Sequence, residues 1–420
     1  MPRSVQEQSL RLWDALTPQR WPIAPGAFPA GAALVGGAVR DGLLGRLQRR
    51  IDLDLVVPVD AVALGRELAR SHRGHCVVLD AERSISRVVL DGWTVDLARC
   101  MGKDLEEDLG RRDFSVNAMA LPLAEPHRLL DPQGGLQDLA ERRLRAIGER
   151  NLLDDPLRLL RGIRLAGELG FALEPQTWQW IRRHHAALDR VAGERVLAEL
   201  ERLAAAPGAV AGLRQVLEAE LLPGGSGAVP AGLLDRCESS WAERCGLSAA
   251  ERDAALPLAR LAAVLDGATL ARLHAGRRLQ QRCQALRRWS RRLQELARTG
   301  GTSPSLQTLG EGERLQLQRQ LVADLPALLL QLEPAEARAA MAAWRDPEHP
   351  LFHPRPPLDG CRLQRELNLR PGPSLGALLD HLTQERAFGR LPADRGEDGH
   401  DQQALTCAHG WLAQRGGRCD

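Results

Sequence analysis

The sequence predicts an α+β fold, an N-terminal head on a mixed β-sheet with covering helices, followed by an all-helical remainder. Three observations carry this. Up to about residue 145, short apolar runs alternate with turn signals. From about Asp155 onward, apolar residues recur at three- and four-residue spacing, interrupted by Gly/Pro clusters at 207–208, 222–231 and 299–304. Finally, 420 residues that are 44% hydrophobic and 26% charged suit a soluble globular chain of more than one compact unit.

Taken in order, "SVQEQSLRLWDAL" near the N-terminus has an amphipathic helical pattern and lacks the apolar core of a signal peptide. "AALVGG" (32–37), "IDLDLVV" (51–57), "HCVVLD" (75–80), "SRVVLDGWTVDLA" (86–98) and "FSVNAMAL" (114–121) are the expected strands. Asp91-Gly92 between two β-rich runs is the usual chemistry of a tight hairpin turn. Helices at the N-terminus and around 60–71 are expected to cover one face. The division expected is a head at 1–148, a helical neck at 149–210 and a helical body and tail at 211–420. "GGTSPS" (300–305) reads as an internal linker, and "DPEHPLFHPRPPLDG" (346–360) is too proline-rich for continuous helix. The last ~20 residues read as weakly ordered on their polar, Gly-rich composition.

Composition narrows the function classes. No run of about 18 apolar residues exists, so no membrane span is expected. The eight cysteines are scattered without a CxxC pair, which supports neither a disulfide framework nor a zinc site and points to the cytosol. A net charge of +2 makes any basic surface local, and the positive charge is arginine except for Lys103. His184-His185 and His400-Asp401 lack the partners of a metal-dependent phosphohydrolase.

Four short constellations carry chemistry. Asp52 and Asp54 stand two apart on an expected strand, so both carboxylates project from one face. Like charges that close repel unless a cation lies between them, and oxygen-liganded Mg²⁺ suits the pair when phosphates complete its shell. A solvent-facing strand with two acids has the same pattern, so DxD alone does not decide. Eleven residues before Asp52, however, ends "GGAVRD" (36–41). Gly36 and Gly37 let the backbone approach a phosphate, and Arg40 offers a forked donor. "RRDFSVNA" (111–118) places Arg111 and Arg112 before Asp113. "DDPLRLLRGIR" (154–164) spaces Asp155, Arg158, Arg161 and Arg164 three apart along a helix. Equally, Asp155 is a helix N-cap with Pro156 at the first helical position and the arginines merely exposed.

In this order the four elements resemble the class II tRNA nucleotidyltransferases, the CCA-adding enzymes that share a catalytic core with bacterial poly(A) polymerases. The resemblance spans roughly residues 30–205 and includes a hinge-like "DPQGGLQDLAERRLRAIG" (131–148) and, loosely, "ERVLAELERL" (194–203). It implies a nucleotidyltransferase head. Asp52 and Asp54 would hold catalytic Mg²⁺, and Gly36, Gly37, Arg40 and Arg111 or Arg112 would contact the triphosphate. Asp155 and Arg158 would read the base edge, with Arg161 and Arg164 beside the same pocket. The substrates implied are tRNA with CTP and ATP, and no protein partner follows. Asp96, ending "WTVD", is a possible third acid or a strand-end turn residue.

Two departures from the family pattern stand out. Asp154 replaces the usual Glu. The segment "LARCMGKD" (97–104) is short where full CCA-adding relatives carry a longer loop that helps switch from CTP to ATP, which resembles the CC-adding branch. The runner-up is a poly(A) polymerase acting on general RNA 3′ ends, and a non-catalytic RNA-binding protein of the same fold is a third reading. In the helical half, "ARLHAGRRLQQRCQALRRWSRRLQ" (271–294) carries eight arginines and no acid. Arg287, Arg288, Arg291 and Arg292 are its candidates for tRNA phosphate contact, against a solvated face balanced by acids elsewhere. Trp289 among them is expected in the core.

Overall fold

The computed structural model describes residues 5–48, 50–222, 232–392 and 398–414, the side chains of 398–400 excepted. The chain divides into two compact units, Met1–Glu199 with Ala206–Leu221, and Leu200–Ala205 with Leu222–Asp420.

The first unit is built on six strands: β1 (Ala33–Val35), β2 (Leu53–Val57), β3 (His75–Asp80), β4 (Ile85–Leu90), β5 (Trp93–Arg99) and β6 (Ala120–Pro122). They lie in the order β3-β4-β5-β2-β1-β6. Only the central β2–β5 pair is parallel, so the sheet is mixed as expected. The β4–β5 hairpin turns through Asp91 and Gly92 at φ 46° and 76°, the left-handed pair that a tight primed turn requires.

Strand parity sorts the residues of this sheet. Ser86, Leu97 and Leu55 form one transverse row, and Arg87, Asp96 and Asp54 form the next, on the opposite face. Helices α1 (Val5–Leu16), α2 (Gly37–Leu43) and α3 (Ala61–Ser71) follow, with α3 packed on β3, β4 and β5. At Gly65 of α3 an added Cβ would meet the Ser86 hydroxyl at 2.4 Å, which places α3 on the Ser86–Leu97 face. The acidic row is thereby left on the other face. The expected strand at 114–121 begins only at Ala120. Ser115–Asn117 form a 3₁₀ turn instead, because Ser115 bonds Asp138 and Asn117 bonds Asp113, drawing the backbone out of the ladder.

Beyond α4 (Leu105–Leu109) and α5 (Gly135–Ala140), the unit continues as helices α6 (Glu149–Asp154), α7 (Leu157–Leu169), α8 (Pro175–Arg183), the start of α9 (Gly193–Ala205), whose Leu200–Ala205 fall in the second unit, and α10 (Ala209–Glu218). Helix α7 buries Leu159, Leu160, Ile163 and Leu169 at helical spacing and stops at Gly170 in a left-handed cap.

The second unit is helical, with α11 (Ser239–Arg244), α12 (Ala249–Val264), α13 (Gly267–Arg272) and the long α14 (Arg277–Gly300) first. Residues 302–305 and 346–359 lie outside α-helix, as their composition predicts. Contrary to expectation, Asp398–Gln414 form a helix whose Ala404 and Ala408 enter a core with Leu363, Leu378 and Leu382. Residues 223–231 of the expected break at 222–231, residues 415–420 and the His400 side chain lie outside the described residues. No described helix is long and apolar enough to cross a membrane.

Candidate active site

A pocket of about 380 Å³ opens on the acidic face of the sheet. Gly36, Gly37, Asp54, Asp96, Arg112, Asp113, Asp155, Arg158, Arg161 and Arg195 all contribute to its walls, joining the head strands to helices α7 and α9.

At its floor, Asp54 and Asp96 are direct register partners on the parallel strands β2 and β5. Burial, then the charge of Asp96, push the Asp54 carboxyl up to about 6, with Asp52 adding to the rise and Arg112 and Arg161 opposing it. Asp96 is gripped from the other side by Arg87, whose Nε and Nη2 each donate at 2.7 Å. Gly36 turns at φ 72° and ψ −138°, a conformation that favours glycine. A Cβ there would lie 3.1 Å from Asp54 Oδ2 and 3.7 Å from Arg112 Nη1, so backbone, acid and guanidinium converge on one spot. Arg112 donates to Asp108 at 3.3 Å while its buried Nε has no partner, leaving donor capacity beside the glycine turn.

The opposite wall is held by polar contacts to the backbone. Asn151 Nδ2 donates to the carbonyls of Gly110 and Arg112, both at 2.8 Å. Arg158 Nη1 donates to the carbonyls of Arg111 at 3.0 Å and Asn151 at 2.8 Å. Asp155 accepts from Leu157 N at 3.3 Å and from Arg195 Nη2 at 3.0 Å. Asp113 accepts from Arg161 Nε at 2.7 Å and from Asn117 Nδ2 at 3.1 Å. Burial acts to raise the Asp113 carboxyl, but Arg161 and Asn117 outweigh it and hold the group below its ordinary range.

Among the described residues, no three His, Cys, Asp or Glu side chains close on one another as a complete metal cage. The mutual repulsion of Asp52, Asp54 and Asp96 fits an open cation site instead, one that needs oxygen ligands from a bound phosphate.

Comparison with known proteins gives this geometry its relatives. Residues 32–145 match the poly A polymerase head domain, and residues 170–224 match the probable RNA and SrmB-binding site of polymerase A. The CC-adding tRNA nucleotidyltransferase of Synechocystis is 44% identical over 189 residues, 45% of each chain. The A-adding tRNA nucleotidyltransferase of Deinococcus radiodurans is 46% identical over 198 residues, 46% of this chain and 43% of the relative. Over these residues the chain is similar to the class II tRNA nucleotidyltransferases. Its match spans about half the length, or less, of these curated relatives. The fold extends further. A CCA-adding enzyme solved with CTP superposes with TM-score 0.69 over 93% of this chain and 91% of that one, at 20% identity. The Thermotoga maritima CCA-adding enzyme solved with tRNA gives 0.67 over 90% and 91%, at 21% identity.

Several predicted site residues are placed differently from the sequence reading. Asp52 precedes β2, is exposed, and reaches Asp54 only through its charge. Arg40 is buried and fully engaged by Asp41 and by Asn117 Oδ1 at 2.7 Å, so it braces the glycine turn and does not line the pocket. Arg111 turns outward to Glu107 at 2.8 Å. Arg164 is not beside the pocket: the helical face that carries it is interior, and it is sealed in ion pairs with Glu168 and Glu199. Asp155 does not head α7, which begins at Leu157, although it still accepts from that residue. Sequence reasoning missed Arg195, Asn117 and Arg87. Arg195 is the second residue of the loosely matched "ERVLAELERL", and Arg87 was findable only through strand register.

The basic helix α14 is also divided. Arg287 Nη1 donates to the carbonyls of Ala262, Ala263 and Leu265, capping the end of α12. Arg292 pairs with Glu313 at 2.7 Å. Arg288 and Arg291 are exposed on a cleft of about 860 Å³, and Trp289 is buried as expected.

Proposed function

We propose that the chain is a tRNA nucleotidyltransferase that uses CTP, and to a lesser extent ATP, to extend tRNA 3′ ends. The observation that supports this best is the convergence in one pocket of the Gly36 turn, Asp54 and Arg112 with Asp155 and Arg158 on the facing wall. Phosphates would lie against Gly36, Gly37 and Arg112. The tRNA 3′-hydroxyl oxygen forms a bond to the α-phosphorus, the bond to the β-phosphate oxygen breaks, and pyrophosphate leaves with its electron pair. Asp52 and Asp54 would hold Mg²⁺, which supplies activation of the hydroxyl and charge stabilisation on the leaving oxygens.

Base selection falls to the opposite wall. The Asp155 carboxylate accepts from the exocyclic amino group that cytosine and adenine share, and a guanidinium donates to the ring acceptor beside it. Uracil and guanine present carbonyls where that amino group should be. Arg158 is held by two carbonyls and Asp155 by Arg195, so the pair is fixed before a base arrives. In this reading residues 1–148 perform the transfer, 149–210 read the base and 211–420 hold the tRNA, with Arg288 and Arg291 toward phosphate.

Addition is proposed to stop after two cytidines. One pocket serves both CTP and ATP only if it re-forms between additions, and the segment 97–104 has little length to drive that. Its first three residues are in β5, Met101 N donates to Asp108, Lys103 N donates to Glu107, and Asp104 caps α4. A poly(A) polymerase is the second reading, favoured by the head-domain match. The deciding experiment sizes the products from tRNA ending at its discriminator base and from an unrelated RNA, with each nucleotide separately and Mg²⁺. Two cytidines on tRNA alone are expected. Complete CCA ends overturn the CC restriction, and adenosine tails on both RNAs overturn the tRNA assignment. Asp54→Ala should abolish incorporation in a protein that still folds, and retained turnover removes Asp54 from the metal role.

A further inference from the structure

Strand register sets Arg87, Asp96 and Asp54 side by side on β4, β5 and β2 in one transverse row. Arg87 and Asp96 form a two-pronged ion pair, with both contacts at 2.7 Å. Asp96 reaches Asp54 electrostatically, as the largest charge acting on its carboxyl. Asp96 therefore faces two ways, toward an arginine that occupies it and toward the acid proposed to hold metal. A carboxylate paired on both oxygens with one guanidinium has its charge already balanced and half its lone-pair directions taken, so it is a poorer ligand for a cation.

We infer that Arg87 is a positioning residue that holds Asp96 out of the metal's coordination sphere and so sets how tightly the head binds a divalent cation. The inference rests on the proposed metal role of Asp54. Arg87 fills the place of a cation beside the acid row. Two carboxylates, Asp52 and Asp54, remain for a metal whose other ligands come from the nucleotide, so binding without nucleotide stays weak. Releasing Asp96 adds a third carboxylate within the same row and makes the cation bind before the triphosphate does. Arg87 and Asp96 are both partly exposed, so the exchange needs no rearrangement of the core.

The other arginines near the acid row are engaged elsewhere. Arg112 approaches Asp54 from the glycine turn and pairs with Asp108, and Arg161 pairs with Asp113. Of these three, Arg87 alone bonds an acid of the row itself.

The test is Mn²⁺ binding to the full chain without nucleotide, read by the loss of the free-ion paramagnetic resonance signal, in wild type, Arg87→Gln, Asp96→Asn and the double variant. Arg87→Gln should tighten Mn²⁺ by roughly tenfold, equivalent to about 1.4 kcal/mol. Asp96→Asn alone should change it little, and the double variant should return to the wild-type value. Arg87→Lys, which keeps the charge but loses the fork, should fall between. Unchanged or weaker binding in Arg87→Gln overturns the inference, as does a gain that survives in the double variant. Asp54→Asn separates the two readings. If it leaves wild-type Mn²⁺ binding intact, the metal assignment fails, whereas its loss beside an unaltered Arg87→Gln removes only the role of Arg87.

Discussion

Replacing Asp54 by Asn should stabilise the metal-free protein at neutral pH, the opposite of what removing a hydrogen-bonded carboxylate normally does. Asp54 ionises at about 6 in the fold against 3.8 for the ordinary carboxyl, because burial and the neighbouring charges of Asp96 and Asp52 disfavour the anion. A carboxyl whose pKa is raised on folding contributes stability that is complete below the unfolded value and is lost as pH rises through the folded one. The window is therefore between pH 3.8 and about 6. A rise of this size corresponds to about 3 kcal/mol at neutral pH, reduced in practice because Asp54 lines an open pocket. The amide that replaces the carboxyl carries no charge to penalise. Calorimetric unfolding in chelator should show wild type losing ground to Asp54→Asn as pH rises from about 4.5 to about 7. The gap should be constant at higher pH. Added Mg²⁺ should then recover wild type and leave the variant unmoved. Parallel stability curves across that window, or a wild type more stable than Asp54→Asn at about pH 8 in chelator, refute the reasoning.

Asp155→Ala should lower the rate and relax discrimination against UTP and GTP by about 10-fold or more, the usual scale of losing one charge-assisted contact. Single-nucleotide incorporation measures this, and selectivity retained per folded molecule means Asp155 only supports α7. Arg164→Met should lower stability by about 3–5 kcal/mol, since Glu199 is left buried without its guanidinium, yet leave nucleotide choice alone. Altered nucleotide choice in the folded variant would return Arg164 to the pocket. Arg288→Glu with Arg291→Glu should weaken tRNA binding and flatten its dependence on salt, whereas Arg287→Glu should instead lower the melting temperature by stripping the cap of α12. Equal tRNA affinity across a salt series removes α14 from the interface.

The β4–β5 hairpin was legible because burial alternates along both of its strands. Ser86, Val88 and Leu90 are buried between more open neighbours, and Asp91-Gly92 announces the hairpin. The 3₁₀ turn at Ser115–Asn117 was not, because side chains 20 or more residues apart in sequence compete there with the backbone ladder. At the site, residue type was readable but direction was not. Arg158, Arg161 and Arg164 look equivalent at three-residue spacing. A helix turns about 300° over three residues, however, so the row drifts from the pocket wall into the interior by Arg164. The basic run of α14 misled for a related reason: the carbonyls that Arg287 caps and the acid that Arg292 meets come from other segments of the chain. Arg87 and Arg195 carried no local signal, since each acquires meaning only from a partner 9 or 40 positions away.

The backbone of residues 110–112 has a consequence for how this protein is assembled. Its three successive carbonyls are all received by side chains of the following helical segment, Asn151 taking those of Gly110 and Arg112 and Arg158 taking that of Arg111. A chain that ended after the sheet would leave these acceptors without their donors, at roughly 1–3 kcal/mol for each one shut away from water. Arg112, the donor beside the glycine turn, hangs from that same stretch. The glycine-turn side of the pocket therefore takes its final shape only when the segment carrying Asn151 and Arg158 has docked. During synthesis, the ribosome must deliver residues through Arg158 before the first half of the pocket exists.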